Sequence, residues 1–249
     1  MSNHSAYRTF VDRLSKTKDS AREKSTKKRK SLGLRTAREN LDDLVDPGSF
    51  LEFGAFAVAA QRNRRDYEEL QLETSADGIL TGFCNINEDE VGEDNSHAAA
   101  IIYDYSVLAG SQGFFHHQKL DRICEKAEEF SLPVVIFTEG GGGRPGDTDV
   151  TTQIAGLHIP SFSTWARLTG KCLKIAVNNG YCFAGNAVLF GCSDFMIATT
   201  QSWIGMAGPA MIEGGGLGVY DPKEIGPAEE QYKNGCLLYT SPSPRDNGR

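Results

Sequence analysis

A chain of 249 residues can hold one large domain or two small ones, and 39% hydrophobic with 24% charged residues suits a soluble globular protein. No apolar run approaches the ~20 residues needed to span a bilayer, and the N-terminus MSNHSAYRTF lacks the apolar stretch of a signal peptide. The net charge of −7 is unevenly spread: residues 1–38 carry 12 Lys/Arg against 3 Asp/Glu, a balance of +9, and the remainder carries −16.

The basic stretch STKKRKSLGLR (residues 25–35) suits nucleic acid, an acidic surface, the phosphates of a nucleotide-bearing ligand, or simply a solvated arm. Asp12, Asp19 and Glu23 interrupt the basic segment, which disfavours a mitochondrial transit peptide. Cys84, Cys124, Cys172, Cys182, Cys192 and Cys236 lie in apolar patterns with no CxxC pair. Buried free thiols in a reducing cytoplasm are therefore expected, and no zinc or dithiol site.

Residues 7–24 place Phe10, Val11 and Leu14 on one helical face, which predicts a helix. Residues 36–44 (TARENLDDL) predict another: Thr36 caps it, Glu39 completes a capping box, and Asp46-Pro47-Gly48 stops it. Residues 49–60 read as extended and the polar residues 61–76 as a surface loop. Residues 77–87 and 98–113 predict two strands of a hairpin, joined by the acidic loop 88–95. In residues 114–130, Leu120, Ile123, Cys124, Ala127 and Phe130 recur at helical spacing. His116 and His117 on this helix are expected at the surface. A short apolar run, 134–137, predicts a buried strand that ends in Gly140, Gly141, Gly142, Gly143 and Arg144. Residues 149–168 have helix length, with a break before Pro160. Residues 173–177 predict a further buried strand, 178–191 a turn and a small-residue helix, and 194–199 another strand.

This alternation of strand and helix predicts an α/β layer with parallel strands, whose ligand sites lie at the carboxyl ends of the strands. Both glycine turns, 140–143 and 180–185, fall at that edge. The first lacks the Lys and Ser/Thr of a phosphate-binding P-loop, and GxSxG is absent. Four glycines leave backbone N–H groups bare and let another molecule approach the main chain. The plain alternative is a linker or a tight turn. Backbone donors from two neighbouring turns suit an oxyanion hole that stabilises the enolate of a thioester.

The residues then become recognisable. TARENLDDLVDPGSFLEFGAF (36–56), YDYSVLAGSQG (103–113), EGGGGRPGD (139–147), GYCFAGNAVLFGCSDFMIAT (180–199) and IGMAGPAMIEGGGLGVYDPKEIGP (204–227) carry the likeness. The chain resembles the N-terminal part of the carboxyltransferase (beta) subunit of biotin-dependent acyl-CoA carboxylases. The resemblance implies a crotonase-type (ClpP/crotonase-like) α/β spiral of β-β-α units. It implies a basic helical segment over 1–35, a CoA carboxyltransferase N-terminal domain over 36–235, and an unpatterned tail over 236–249 that reads as non-native read-through. The implied reaction moves CO2 from carboxybiotin to the α-carbon of an acyl-CoA. Gly141 and Gly142 would be backbone oxyanion donors, with Ala184 and Gly185 beside them. Arg38, Gly110, Ser111 and Arg144 would contact CoA, and the basic segment its phosphates.

Biotin would arrive on a separate carrier protein, and no metal is expected. Implied partners are a biotin carboxylase and biotin carboxyl carrier subunit, and further copies of the carboxyltransferase subunit as a dimer or higher homo-oligomer. Nucleic acid and membrane are not implied. The family's second, biotin-side domain is expected to be absent, leaving this part alone inactive. Two departures stand out: the family's Ser-Gly-Gly-Ala-Arg is here Gly140 to Arg144, and Asn186 stands where many members have Gly. The alternatives within reach are a crotonase-type hydratase or decarboxylase, or a non-catalytic CoA-ester-binding fragment. A mitochondrial matrix location is the eukaryotic variant of the cytoplasmic one.

Overall fold

Seven strands form one sheet in chain order, and the computed structural model describes residues 3–150, 159–237 and 239–241. Strands β1 (Leu51–Phe53), β2 (Ile79–Asn85) and β3 (His97–Tyr103) are antiparallel neighbours. β4 (Val134–Phe137), β5 (Lys174–Phe183), β6 (Phe195–Gly205) and β7 (Tyr239–Ser241) then add in parallel. The hairpin is thus followed by crossovers, as the alternation predicts.

Helices α1 (Asn3–Lys16) and α2 (Glu23–Ser31) replace the single helix expected over 7–24; a 3-10 turn at Asp19–Ala21 separates them. Helix α3 (Ala37–Leu44) carries the predicted capping box: Thr36 Oγ1 accepts from the Glu39 amide, and Glu39 accepts from the Thr36 amide. Residues 61–76 are not a plain loop. They contain α4 (Tyr67–Glu73), because Leu70 buries itself against Val58 and Ala59, a contact that a local polarity reading does not reveal. The acidic loop holds two short turns, α5 (Glu88–Val91) and α6 (Glu93–Ser96).

Side chains of β3 alternate between two cores, as a strand covered on both faces requires. Ala99, Ile101 and Tyr103 face the larger core, with Leu120, Ile123, Cys124 and Ala127 of α7 (Phe114–Phe130). Ala98, Ala100 and Ile102 face the smaller core, with Ala37 and Leu41 of α3. Each fully buried Leu or Ile stabilises the fold by about 2 kcal/mol.

Two strands end differently from expectation. β3 stops at Tyr103 instead of running to residue 113, because the chain then turns through Leu108, Ala109 and Gly110, all with positive φ. β5 runs ten residues, not five. Gly180, with φ of +123°, lets a register shift between Asn178 and Gly180 bend the strand without ending it. β6 is likewise longer than 194–199. Of the helix expected over 149–168, α8 (Ser161–Arg167) is described; residues 151–158 lie outside the described residues. Helices α9 (Gly185–Gly191), α10 (Pro209–Gly214) and α11 (Ala228–Lys233) complete the chain. Within 236–249, Leu237 joins the larger core and β7 pairs with β6. No described helix is long and apolar enough to cross a membrane.

Candidate functional site

Three turns leave the carboxyl ends of β3, β4 and β5 and interlock through main-chain bonds. The Gly141 amide donates to the Ala109 carbonyl at 2.9 Å, and the Gln112 amide donates to the Gly142 carbonyl at 2.7 Å. The Gly140 amide donates to Tyr181 O at 2.7 Å, tying the glycine run to β5. Gly142 has φ of +88°, and a Cβ there would lie 2.6 Å from Ala184 Cβ, so the second turn needs glycine where the third approaches it. Ala184 itself sits at φ 52°, ψ −120°, a strained conformation for a residue with a Cβ that costs about 1–3 kcal/mol. Such strain persists where the surroundings over-determine it.

The amides of this loop are unequally available. The Gly142 amide donates to Asn186 Oδ1 at 3.0 Å and Gly142 is buried. Gly143 is exposed, its amide has no acceptor among the described residues, and nothing lies within 4 Å of a Cβ built there. The open donor of the run is therefore Gly143. Gly141 and Gly142, expected as donors, are held by internal acceptors. They shape the turn.

Arginines grip both ends of the run. Arg29 of α2 binds Glu139 with two bonds, of 2.8 and 2.6 Å. Burial pushes the Glu139 carboxyl up, against the pull of Arg29. Arg22 similarly meets Asp104, just past β3, at 2.7 Å. The basic segment is thus docked onto the turns after β3 and β4, and is not a free arm. At the other end Arg144 pairs with Asp77 and, at 3.0 Å, with Asp147. Asp147 also accepts from the Phe114 amide at 2.8 Å and so caps the start of α7.

His116 and His117 are buried, not at the surface. They sit on the face of α7 that turns toward this arginine centre. The His116 amide donates to Asp77 Oδ2 at 2.8 Å, and His117 Nδ1 lies 2.8 Å from Ser161 Oγ. Burial holds both imidazoles neutral, with His117 lowered to about 4 and His116 well below its ordinary range. Burial likewise pushes the Asp77 carboxyl up to about 6, partly offset by Arg144.

A cavity of about 570 Å³ opens against these turns, with Ala109, Glu139 and Gly180 in its wall. Lys24 and Lys28 of the docked segment and Lys223 supply cations, and Tyr105, Tyr181 and Trp203 supply aromatic faces. The Tyr181 and Trp203 rings lie 5.1 Å apart, and Lys223 Nζ sits 5.8 Å from the Trp203 ring centroid. Cations beside aromatic faces suit an anionic ligand with a flat ring.

The carboxyl transferase domain family matches residues 28–247. The chain belongs to the carboxyl transferase family. Its sequence is 30% identical over 192 residues to the methylmalonyl-CoA carboxyltransferase 12S subunit of Propionibacterium freudenreichii subsp. shermanii, covering 77% of this chain and 34% of that protein. It is 30% identical over 204 residues to the biotin-dependent long chain acyl-coenzyme A carboxylase beta4 subunit of Mycobacterium tuberculosis, covering 81% of this chain and 35% of that one. The chain thus spans about a third of the length of these relatives.

Among solved structures, a single-chain, multi-domain long-chain acyl-CoA carboxylase superposes with a TM-score of 0.90 at 48% identity, over 96% of this chain and 23% of that one. The transcarboxylase 12S core, described as a hexamer assembly, shares the fold with a TM-score of 0.80 at 24% identity. The crotonase-like fold expected from the sequence is the fold observed.

Other expected contacts of this carboxyl transferase chain are placed differently. Arg144 and Arg38 both hold carboxylates of the chain itself, Arg144 those of Asp77 and Asp147, and Arg38 that of Glu52 at 2.7 and 3.0 Å. Ser111 Oγ donates to its own turn, at Leu108 O, 2.6 Å away. Gly110, with φ of +61°, packs against the backbone of Glu139 and Gly140. Cys84, Cys124, Cys172 and Cys182 are buried as expected, whereas Cys192 and Cys236 are exposed. No group of three or more metal-ligating side chains is present among the described residues. Sequence reasoning missed the aromatic cluster and the Arg29–Glu139 pair. A seven-residue spacing of Arg22 and Arg29, two helical turns, was the available signal.

Proposed function

We propose that this chain is the acyl-CoA-binding part of a biotin-dependent carboxyltransferase, and that the cavity against the glycine turns receives the CoA ester. The observation that carries the reading is the junction of that cavity with the interlocked turns of a carboxyl transferase domain. Lys24, Lys28 and Lys223 would hold the phosphates, and the Tyr181–Trp203 faces the adenine. The exposed Gly143 amide would donate to the thioester oxygen as it gains enolate charge, an interaction strongest in the transition state.

An unclaimed, sterically open amide also fits the ureido oxygen of biotin. Carboxybiotin, presented by a carrier protein, would supply the CO2 and a ureido nitrogen basic enough to accept the α-proton. Glu139 and Asp147, the acids at this edge, are both bound by arginine, which leaves neither as a free base. That supports carboxyl transfer over hydration, which needs positioned carboxylates on the chain. The 48% identity to the long-chain carboxylase supports a long-chain acyl-CoA as the substrate class. Six free thiols support a reducing, cytoplasmic setting. The relatives' assemblies support a homo-oligomer working with a biotin carboxylase and its carrier.

The test combines calorimetric binding of acetyl-, propionyl- and palmitoyl-CoA with an assay for the dicarboxylic acyl-CoA in the presence of carboxylated biotin. Binding of at least one CoA ester is expected, and formation of the dicarboxylic product reports transfer. The double change Lys24→Glu and Lys28→Glu should weaken binding by about a hundred-fold, since each lost charge-assisted contact is worth roughly 1.5 kcal/mol. Absence of binding to every CoA ester would overturn the reading.

A further inference from the structure

Asn186 is fully buried in the first turn of α9, and its side chain reaches out of that helix in two directions. Its Oδ1 accepts from the Gly142 amide at 3.0 Å. Its Nδ2 donates to the Thr138 carbonyl at 3.1 Å. Thr138 and Gly142 stand at the two ends of the glycine turn, so a single carboxamide spans it. The fit is close: a Cβ on Gly140 would lie 2.2 Å from Asn186 Nδ2. Only an uncharged group with both a donor and an acceptor makes these two bonds at once. Gly would make neither, and would leave a buried amide and a buried carbonyl without partners.

We propose that Asn186 is a positioning residue that pins Gly142 and thereby holds the next amide, that of Gly143, toward the thioester oxygen. The inference rests on the carboxyltransferase reading, and it adds a residue that touches neither substrate nor cofactor. With Gly142 tied down, the peptide between Gly142 and Gly143 has a fixed orientation. Without the tie, four successive glycines sample many orientations and the donor must be ordered at each encounter.

Three readouts test this on the whole chain. The first is hydrogen exchange at the Gly142 amide, which should be protected in the wild type and exchange about ten-fold faster in Asn186→Ala, a change of about 1.4 kcal/mol, as expected for the loss of one buried hydrogen bond. The second compares two CoA thioethers, one carrying a nitronate that mimics the enolate and one saturated. Asn186→Ala should lower the preference for the nitronate by about ten-fold and leave the affinity for CoA itself within two-fold. The third uses Asn186→Asp, which is isosteric and makes both bonds when protonated. It should keep the preference at pH 6 and lose it at pH 8.

A preference that survives Asn186→Ala within two-fold, with CoA still bound, overturns the positioning role and leaves the carboxyltransferase reading intact. Unchanged exchange at Gly142 in Asn186→Ala overturns it irrespective of ligand. Failure of the wild type to bind any CoA compound counts against the functional reading, and the exchange measurement still decides the tie. Should the alanine variant not fold, the pH dependence of Asn186→Asp decides: a preference equal at both pH values overturns the proposal.

Discussion

Two arginine–carboxylate centres bracket the four glycines, and they join different things. Arg29 and Glu139 are 110 residues apart in sequence and latch the N-terminal segment onto the loop, beside the cavity. Arg144, Asp147 and Asp77 form a sealed centre beneath the loop, with Arg144 only 5% exposed, between α7 and the start of β2. Neighbouring chemistry thus has two roles. One pair fastens a segment that contributes to the cavity, and the other holds the core-side end of the turn. Removing one member of a fully buried set strands the rest without compensation, while a pair at a cavity wall can be rehydrated.

The largest break should come at the sealed centre. Arg144→Ala leaves Asp77 and Asp147 uncompensated and should cost about 3–5 kcal/mol in urea unfolding followed by the buried Trp165. Arg144→Met with Asp77→Asn should recover part of that loss. A single variant as stable as the wild type would erase the distinction between the centres.

Acid should act on the same centre through opposing groups. Asp77, at about 6 in the fold against an ordinary 3.8, keeps a proton that the unfolded chain has released, so alone it would favour the fold as pH falls from 6 toward 4. His117, at about 4 against 6.5, does the reverse: the unfolded imidazole takes a proton that the folded one refuses. Each displacement is on the order of 3 kcal/mol. His116 adds to the histidine side, so net stability should fall between pH 6.5 and 4. His117→Gln should flatten that fall, measured as unfolding free energy at pH 7, 6 and 5. A steeper fall in the variant would refute the balance.

The smallest effect belongs to the cavity-side pair. Arg29→Ala should lower global stability by about 2 kcal/mol and mainly release the N-terminal segment. Limited proteolysis within residues 1–35 would then rise ahead of any cleavage in the sheet. Simultaneous cleavage of both would make the two centres equivalent.

Local pattern carried much of the fold. The capping box at Thr36, the apolar stripe of α7 and the apolar run of β4 each state their structure within a few residues. The same reasoning failed where distant chain supplied the partner. Leu70 forms a helix in a charged stretch because Val58 and Ala59 cover it. His116 and His117 look like surface residues until α7 is turned toward Asp77 and Ser161. In the site, the position of the glycine run was legible, and so was its departure at Asn186. Which amide stays open was not, because hydrogen-bond partners 32 and 44 residues away in sequence decide it, Ala109 for Gly141 and Asn186 for Gly142.

The sequence by itself determined the family, the α/β alternation and the two glycine turns at one sheet edge, since periodicity and glycine placement are local properties. Only the tertiary structure decided that the Gly143 amide has no acceptor among the described residues, that Arg38 and Arg144 pair with carboxylates of the chain itself, and that the basic segment walls the cavity. Those are outcomes of competition among buried polar groups for partners. Such competition is settled by proximity in space, which neighbours in sequence do not reveal.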